Sequence, residues 1–245
     1  MLVNCDIGER GPKHPIDIEL MHYIDIANIA CGGHAGNAES IDKFFKLAKK
    51  HSVETSAHLS YPDREGFGRV SLDISINDLI SSLDKQLNRT PEVSMVKLHG
   101  ALYHDACNSP RLSGAVTEWF CRKKVRAVIT LWPSELSKTC EAAGLRVLAE
   151  GFAERRYQYD PKLNLLTLVS RSKSHASMSE VDEAMAQVRA LVEEGKVKAI
   201  LESSDGTHAS LWVETRVDTV CIHSDSKISL DLARRFRMEK GAWKR

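Results

Sequence analysis

The sequence predicts an α/β fold, a distorted seven-stranded (β/α) barrel, from three observations. Apolar runs that end abruptly in polar residues recur along the chain, and amphipathic helical patterns follow most of them. No GxGxxG opens a helix and no GxxxxGK[ST] occurs, so the usual phosphate cradles of open nucleotide-binding sheets are absent from the sequence. Strands that alternate with helices imply a parallel sheet, which gathers function at the carboxyl ends of its strands. About seven such units without an internal repeat favour a closed or nearly closed barrel, with an open Rossmann sheet as the alternative.

The first unit, VNCDIGE at residues 3–9, runs apolar into Asp6 and is followed by a Gly/Pro loop at 10–15 and a short amphipathic stretch at 18–23. The second is the plainest: residues 24–30 (IDIANIA) can only be a buried strand, and it stops in Cys31, two glycines and His34 before a helical pattern starts at Ala38. Ile41, Phe44, Phe45 and Ala48 then recur at helical spacing and read as core. A third strand, from Val53, leads through His58 into a long loop, YPDREGFGR at 61–69, and Ser75 caps the next helix with Asp78 near its positive end. Residues 95–103 (MVKLHGALY) form the fourth strand end, with Lys97 and His99. A helix at 111–124, a strand at 125–131, a helix opened by Pro133 and stopped by Gly144, and a strand at 146–149 follow. The segment 158–177 reads as irregular. Ser179 with Asp182 resembles a capping box for a helix that ends before Gly195, and 197–217 reads as short strands and turns. The last strand, 220–222, ends in His223, Ser224 and Asp225, and a helix runs from 226 to about 238.

The 245 residues suit one large α/β domain, 1–245, and the chain is read as such. A net charge of +1 with acids and bases mixed throughout gives no electrostatic footprint for nucleic acid or an acidic membrane surface. A small-molecule site is the better expectation. Six cysteines without a CxxC pair read as reduced thiols, mostly small core residues. No window approaches the roughly 20 apolar residues that span a bilayer, so the expectation is a cytoplasmic protein.

Four of the ten histidines, His34, His58, His99 and His223, fall where strands end, on the face that also collects Asp6, Lys97 and Asp225. Two chemistries fit. Asp6 with His34 and His58 could hold a divalent ion with an open position. Alternatively the carboxylates act directly as acid and base, with Lys97 and Arg155 clamping an anionic group. Lys97 has an equal reading as a structural ion-pair partner. Asn28 is a buried amide that either needs structural partners or contacts substrate. Arg155 and Arg156, adjacent in extended chain, point to opposite sides, so one of them is a surface charge.

These motifs in this order, NCDIGE (4–9), ANIACGGHAG (27–36), HLSYPD (58–63), GFGR (66–69), KLHGALY (97–103), FAERRY (152–157) and CIHSD (221–225), resemble the LamB/YcsF family over nearly the whole chain. The resemblance implies a barrel similar to polysaccharide deacetylases and the A-subunit role of an ATP-dependent 5-oxoprolinase. That enzyme opens 5-oxo-L-proline to L-glutamate with B and C subunits and ATP. Carried onto matching positions, it makes Asp6, His34, His58, Lys97, His99 and Asp225 candidates for substrate activation and proton transfer. Asn28, Arg69, Tyr103, Arg155 and His223 become candidates for substrate contact. The chain departs from the family pattern at Asn37, Leu59, Leu98, Glu154, Ser170 and Ser224, and positions 37 and 224 are expected by the pocket.

Overall fold

Small and β-branched residues, buried on both faces, make up seven strands that pair only in parallel: β1 (Leu2–Ile7), β2 (Ile26–Ala30), β3 (Glu54–Leu59), β4 (Met95–Leu98), β5 (Ala127–Thr130), β6 (Arg146–Phe152) and, last in the chain, β11 (Thr219–Ile222). They close a barrel in the order β1-β11-β6-β5-β4-β3-β2. The computed structural model describes residues 1–91, 93–202, 208–241 and 243. A second sheet of four strands, β7 (Tyr157–Asp160), β8 (Leu165–Leu168), β9 (Lys196–Glu202) and β10 (His208–Glu214), is ordered β10-β9-β7-β8. No helix among the described residues is long and apolar enough to cross a membrane.

Alternation along the barrel strands separates two environments. Val3, Cys5, Ile7 and Ile29 pack against Ile41, Phe44 and Ala48 of α2 (Ala38–His51), outside the barrel. A second interior, Ile26, Met95, Ala127, Ile129 and Leu148, forms a separate apolar cluster drawn from four barrel strands. Asn4, Asp6, Asn28, Ser56, His58, Lys97 and Glu150 are buried polar residues of the same strands. An isolated buried charge is costly, so these groups must satisfy one another.

Asn37 caps α2: its side chain accepts from the Ser40 amide, and the Ser40 hydroxyl accepts from the Asn37 amide. Its side chain therefore belongs to the helix end and does not line the cavity, contrary to the expectation for position 37. The turn that delivers it needs Gly36 at φ +85°, because a Cβ there would lie 2.3 Å from the Ala30 carbonyl oxygen.

The remaining helices are α1 (Pro15–Leu20), α3 (Ile76–Leu87), α4 (Gly100–Asn108), α5 (Pro110–Arg122), α6 (Glu135–Ala142), α7 (Val181–Glu193) and α8 (Ser229–Glu239). Several boundaries differ from the sequence reading. α4 was not legible because it starts at a positive-φ glycine and carries a weak apolar stripe. α6 begins two residues after Pro133, where Ser134 and Ser137 close a capping box. The expected box at Ser179 does not form: the Met178 amide donates to the Glu154 carbonyl, the chain stays extended one residue longer, and Glu180 takes the N-cap position. β6 runs past Ala149 to Phe152, and 158–177, read as irregular, contains most of β7 and all of β8. The short strands and turns expected at 197–217 are two seven-residue antiparallel strands, β9 and β10, while residues 203–207 lie outside the described residues.

Candidate active site

Strand register brings the charged residues together. Asp6 is paired with Asn28 across β1 and β2, and His58 with Lys97 across β3 and β4. The Lys97 ammonium lies 2.9 Å from Asp6 Oδ1 and 2.8 Å from Glu150 Oε1, and donates to Asn4 Oδ1 and to Cys221 Sγ at 3.2 Å each. Asn28 Nδ2 donates to Asp6 Oδ1 and Asn4 Oδ1, and Asn28 Oδ1 accepts from Ser56. Asn28 is fully buried and does not line the cavity, so its satisfied structural reading holds and it supports Asp6 rather than touching a ligand. Burial alone would raise the Asp6 carboxyl, but His58 and Lys97 outweigh it and hold the group well below the usual carboxylate range. Burial likewise works against the Lys97 ammonium, yet Asp6, Cys221 and Glu150 keep it well above a free lysine. The site therefore holds an ionised carboxylate bound to a fixed ammonium. Cys221 is the cysteine that faces this network, and burial pushes its thiol up, away from nucleophilic thiolate.

Three histidines converge beside this network. His34 and His99 stack with ring centroids 3.6 Å apart and planes 3° from parallel, and His58 stands edge-on to both. His34 Nε2 lies 3.0 Å from Glu9 Oε1, and His99 Nδ1 lies 3.0 Å from His58 Nε2. Glu9 Oε1 is also 3.4 Å from His99 Nδ1 and 3.7 Å from His58 Nε2. Burial, reinforced by the neighbouring rings, holds His34 and His99 well below ordinary histidine. Both rings are neutral bases or ligands at neutral pH.

Phe67 and the loop around it close the cluster. Its ring meets His34 and His99 edge-on at 5.3 and 5.4 Å, its carbonyl oxygen lies 3.0 Å from His99 Nε2, and it holds φ +55°, a conformation that non-glycine residues adopt at a cost.

The ligand atoms of Glu9, His34, His58 and His99 all lie within 4.8 Å of one another, a donor set that could hold a metal ion. The expected set of Asp6, His34 and His58 does not converge in this way. Asp6 Oδ1 is taken by Lys97 and Asn28 and its Oδ2 reaches His58 Nε2 at 3.4 Å, while Glu9 is the carboxylate within reach of all three histidines and His99 joins the group. Asp6, Cys221 and His223 form a second such group across the barrel mouth.

Above these residues opens a cavity of about 1040 Å³. Asp6, His58, Lys97, His99, Arg69, Tyr103, Arg155, His223 and Asp225 all line it, whereas His34 is buried behind His99. His223 is oriented by Glu154, whose carboxylate oxygen sits 2.6 Å from Nδ1 and accepts from the His223 amide. Asp225 is on the rim, 3.2 Å from Arg69 and 3.6 Å from Arg171, apart from the histidine group. Burial would raise its carboxyl, but Arg171, His223 and Arg69 hold it low. Arg155 faces inward and binds the Ala176 and Val169 carbonyl oxygens, while Arg156 turns to the surface and pairs with Glu183. Burial and nearby Arg171 lower Arg155 to about 10. Ser224 lines the cavity as expected.

Glu9 and Glu150 are site residues that the sequence reading passed over, and Glu154 enters it only as a departure from the family pattern. Glu150 carried a usable signal: it and Lys97 are each a lone charge inside an apolar run, and lone buried charges need partners of opposite sign. Glu9 lies beyond its strand and carried no such signal.

Relatives of known sequence and structure match the chain nearly end to end. The chain is 36% identical over 248 aligned residues to the 5-oxoprolinase A subunit of Bacillus licheniformis, covering 97% of this chain and 93% of that protein. It is 35% identical to the protein of the same name from Pyrococcus abyssi, covering 96% and 91%. The crystal structure of a lactam utilization protein from Thermus thermophilus superposes with a TM-score of 0.78 at 29% identity, covering 100% of this chain and 98% of that one. The LamB/YcsF family profile matches residues 1–243, and with its motifs folded into one strand-end cavity the chain belongs to that family.

Proposed function

We propose that this chain is the A subunit of an ATP-dependent 5-oxoprolinase that opens 5-oxo-L-proline to L-glutamate together with B and C subunits. The observation that carries this reading is a cavity whose rim is cationic and whose floor holds acid–base groups, in a chain related end to end to proteins of that name. A small lactam bearing a carboxylate matches both parts. Arg69, Arg155 and Arg171 offer guanidinium groups to the carboxylate, and Tyr103 and His223 flank the ring. Asp6, His58 and His99 face the amide, and Lys97 holds Asp6 ionised. His34 acts behind His99, and Asp225 works from the rim by positioning Arg69.

The five-membered lactam is a resonance-stabilised, unstrained amide. Transfer of a phosphoryl group from ATP to its oxygen turns that oxygen into a leaving group. Water then adds at the carbonyl carbon and the C–N bond breaks with a proton delivered to nitrogen, which leaves an acyl phosphate; a second water hydrolyses that to the carboxylate and releases phosphate. No glycine-rich phosphate loop is present in the sequence, so the reading assigns most nucleotide contacts to the partner subunits. A second reading, a metal-dependent amidohydrolase acting alone, draws on the group formed by Glu9, His34, His58 and His99.

Glutamate release from 5-oxoproline and ATP separates the two. Activity in the mixture with B and C subunits, absent from the chain alone and abolished by Asp6→Ala, is the expected result. Hydrolysis of cyclic or N-acyl amides by the isolated chain would replace the first reading with the second.

A further inference from the structure

We propose that Glu9, His34, His58 and His99 form a binding site for one divalent ion of the zinc class. The surroundings of the imidazoles fix where their protons must be. His58 Nδ1 lies 3.3 Å from the Lys97 carbonyl oxygen and His99 Nε2 lies 3.0 Å from the Phe67 carbonyl oxygen. A carbonyl oxygen only accepts, so that nitrogen carries a proton in each ring, and with one proton per ring the other nitrogen is a bare lone pair. Those two lone pairs, His58 Nε2 and His99 Nδ1, face each other at 3.0 Å. Glu9 Oε1, another lone-pair donor when ionised, is 3.4 Å from one and 3.7 Å from the other. Three acceptors around one point repel unless a cation lies between them.

A shared proton is the rival cation, and metal content tells the two apart. An ion bound at the roughly 2.1 Å usual for zinc–nitrogen and zinc–oxygen bonds places tetrahedral ligand atoms about 3.4 Å apart, and the observed separations of 3.0, 3.4 and 3.7 Å bracket that value. His34 Nε2, 3.0 Å from Glu9 Oε1, is the fourth donor in reach, and it ligates once its ring turns out of the parallel stack on His99, a rotation that no hydrogen bond at Nδ1 opposes. Three imidazoles and a carboxylate are a borderline donor set, suited to zinc and neighbouring transition metals rather than to magnesium or calcium. The carbonyl partners of His58 and His99 are the outer hydrogen bonds that metal-bound histidines usually keep. Asp6 Oδ1 is held by Lys97 and Asn28, while its Oδ2, 3.4 Å from His58 Nε2, borders the set.

The site stands or falls on metal content measured on the chain alone, independently of the oxoprolinase reading, which is tested by glutamate release in the mixture. The chain is stripped with chelator, loaded with zinc, passed through chelating resin and analysed for metal. About one zinc per chain is expected. Glu9→Gln and His99→Gln should each weaken binding at least about 100-fold in competition with a chromophoric chelator, since even outer-shell changes cost 10- to 100-fold. Cobalt loading should give visible d–d bands that both variants lose and that Cys221→Ser keeps. Circular dichroism shows whether each variant is folded, and one folded ligand variant suffices. Folded wild-type chain that retains under about one tenth of an equivalent overturns the proposal and leaves the shared proton. Stoichiometric zinc that survives both ligand variants but is lost in Cys221→Ser overturns it too, placing the ion with Asp6, Cys221 and His223.

Discussion

Lys97 has two buried carboxylates within 3 Å of its ammonium, and this residue tests the site most directly. Removing its charge in Lys97→Met leaves Asp6 and Glu150 buried without a counter-ion. Breaking a buried pair in this way typically costs about 3–5 kcal/mol, and urea unfolding of the variant should show a loss of that size. Pairing the change with Glu150→Gln should recover part of it. His104 carries a different signature. Burial, with Arg155 beside it, depresses its imidazole to about 4, whereas an unfolded histidine titrates near 6.5. Above pH 6.5 both states are neutral and the residue adds no pH dependence. As pH falls from 6.5 to 4 the unfolded chain takes the proton first, so stability is lost through that window, by up to about 3 kcal/mol. The urea midpoint of His104→Gln should therefore fall less steeply than wild type between pH 6.5 and 4; parallel curves would contradict a neutral ring in the cavity wall. Asp6, Lys97 and the strand-end histidines were legible as residues because polar groups that end apolar runs are conspicuous. Their partners Glu9 and Glu154 were not, because each meets its histidine only across the folded barrel mouth.

At the scale of elements, caps and turns hold the site in place. Asn37→Ala removes the side-chain acceptor of the α2 capping box and should cost about 1 kcal/mol in thermal or urea unfolding. Asn37→Asp restores an acceptor and adds a charge at the positive helix end. It should be neutral to stabilising by under about 1 kcal/mol, an effect that salt screens. Gly100 is less forgiving. It joins His99 to α4 at φ +56°, and a Cβ there would lie 2.4 Å from the Gly68 carbonyl oxygen in the loop that carries Phe67. Gly100→Ala should lower stability by about 1–3 kcal/mol and reduce turnover as well, by shifting His99 against Phe67. A variant equal to wild type in both melting temperature and turnover would refute that coupling. Strong stripes such as Ile41, Phe44 and Ala48 predict their helix without help, since one apolar face defines a period. The capping role expected at Ser179 failed because a distant hydrogen bond, from Met178 to Glu154, decided where α7 begins.

For the molecule as a whole, the cavity is built by two sheets. The barrel presents Asp6, Lys97 and the histidines, while Tyr159, Leu165 and Ile200 of the side sheet line the same space. Arg155 ties the two together by donating to the Val169 and Ala176 carbonyl oxygens beyond β8. Arg155→Gln should therefore raise the KM for 5-oxoproline at least about tenfold in the complete mixture, with a smaller change in kcat. Arg156→Gln, on the surface beside Glu183, should change neither appreciably. Equal effects of the two would remove Arg155 from the substrate wall.

The repeated passage from apolar strand to polar end and the helical stripes between were enough to favour a (β/α) barrel over an open sheet and to mark the strand ends where its polar residues gather. Such patterns are local, and a buried strand or a one-sided helix announces itself within a dozen residues. Tertiary structure decided the rest. Closure of β1 between β2 and β11 and the register of β3 on β4 determine that Lys97 neutralises Asp6 and Glu150, that Glu9 rather than Asp6 meets the three histidines, and that Asn28 lies beneath the site. Those charge pairings join residues 25 to 91 positions apart. Charge compensation at that range depends on distances of a few ångströms, which only the folded barrel defines.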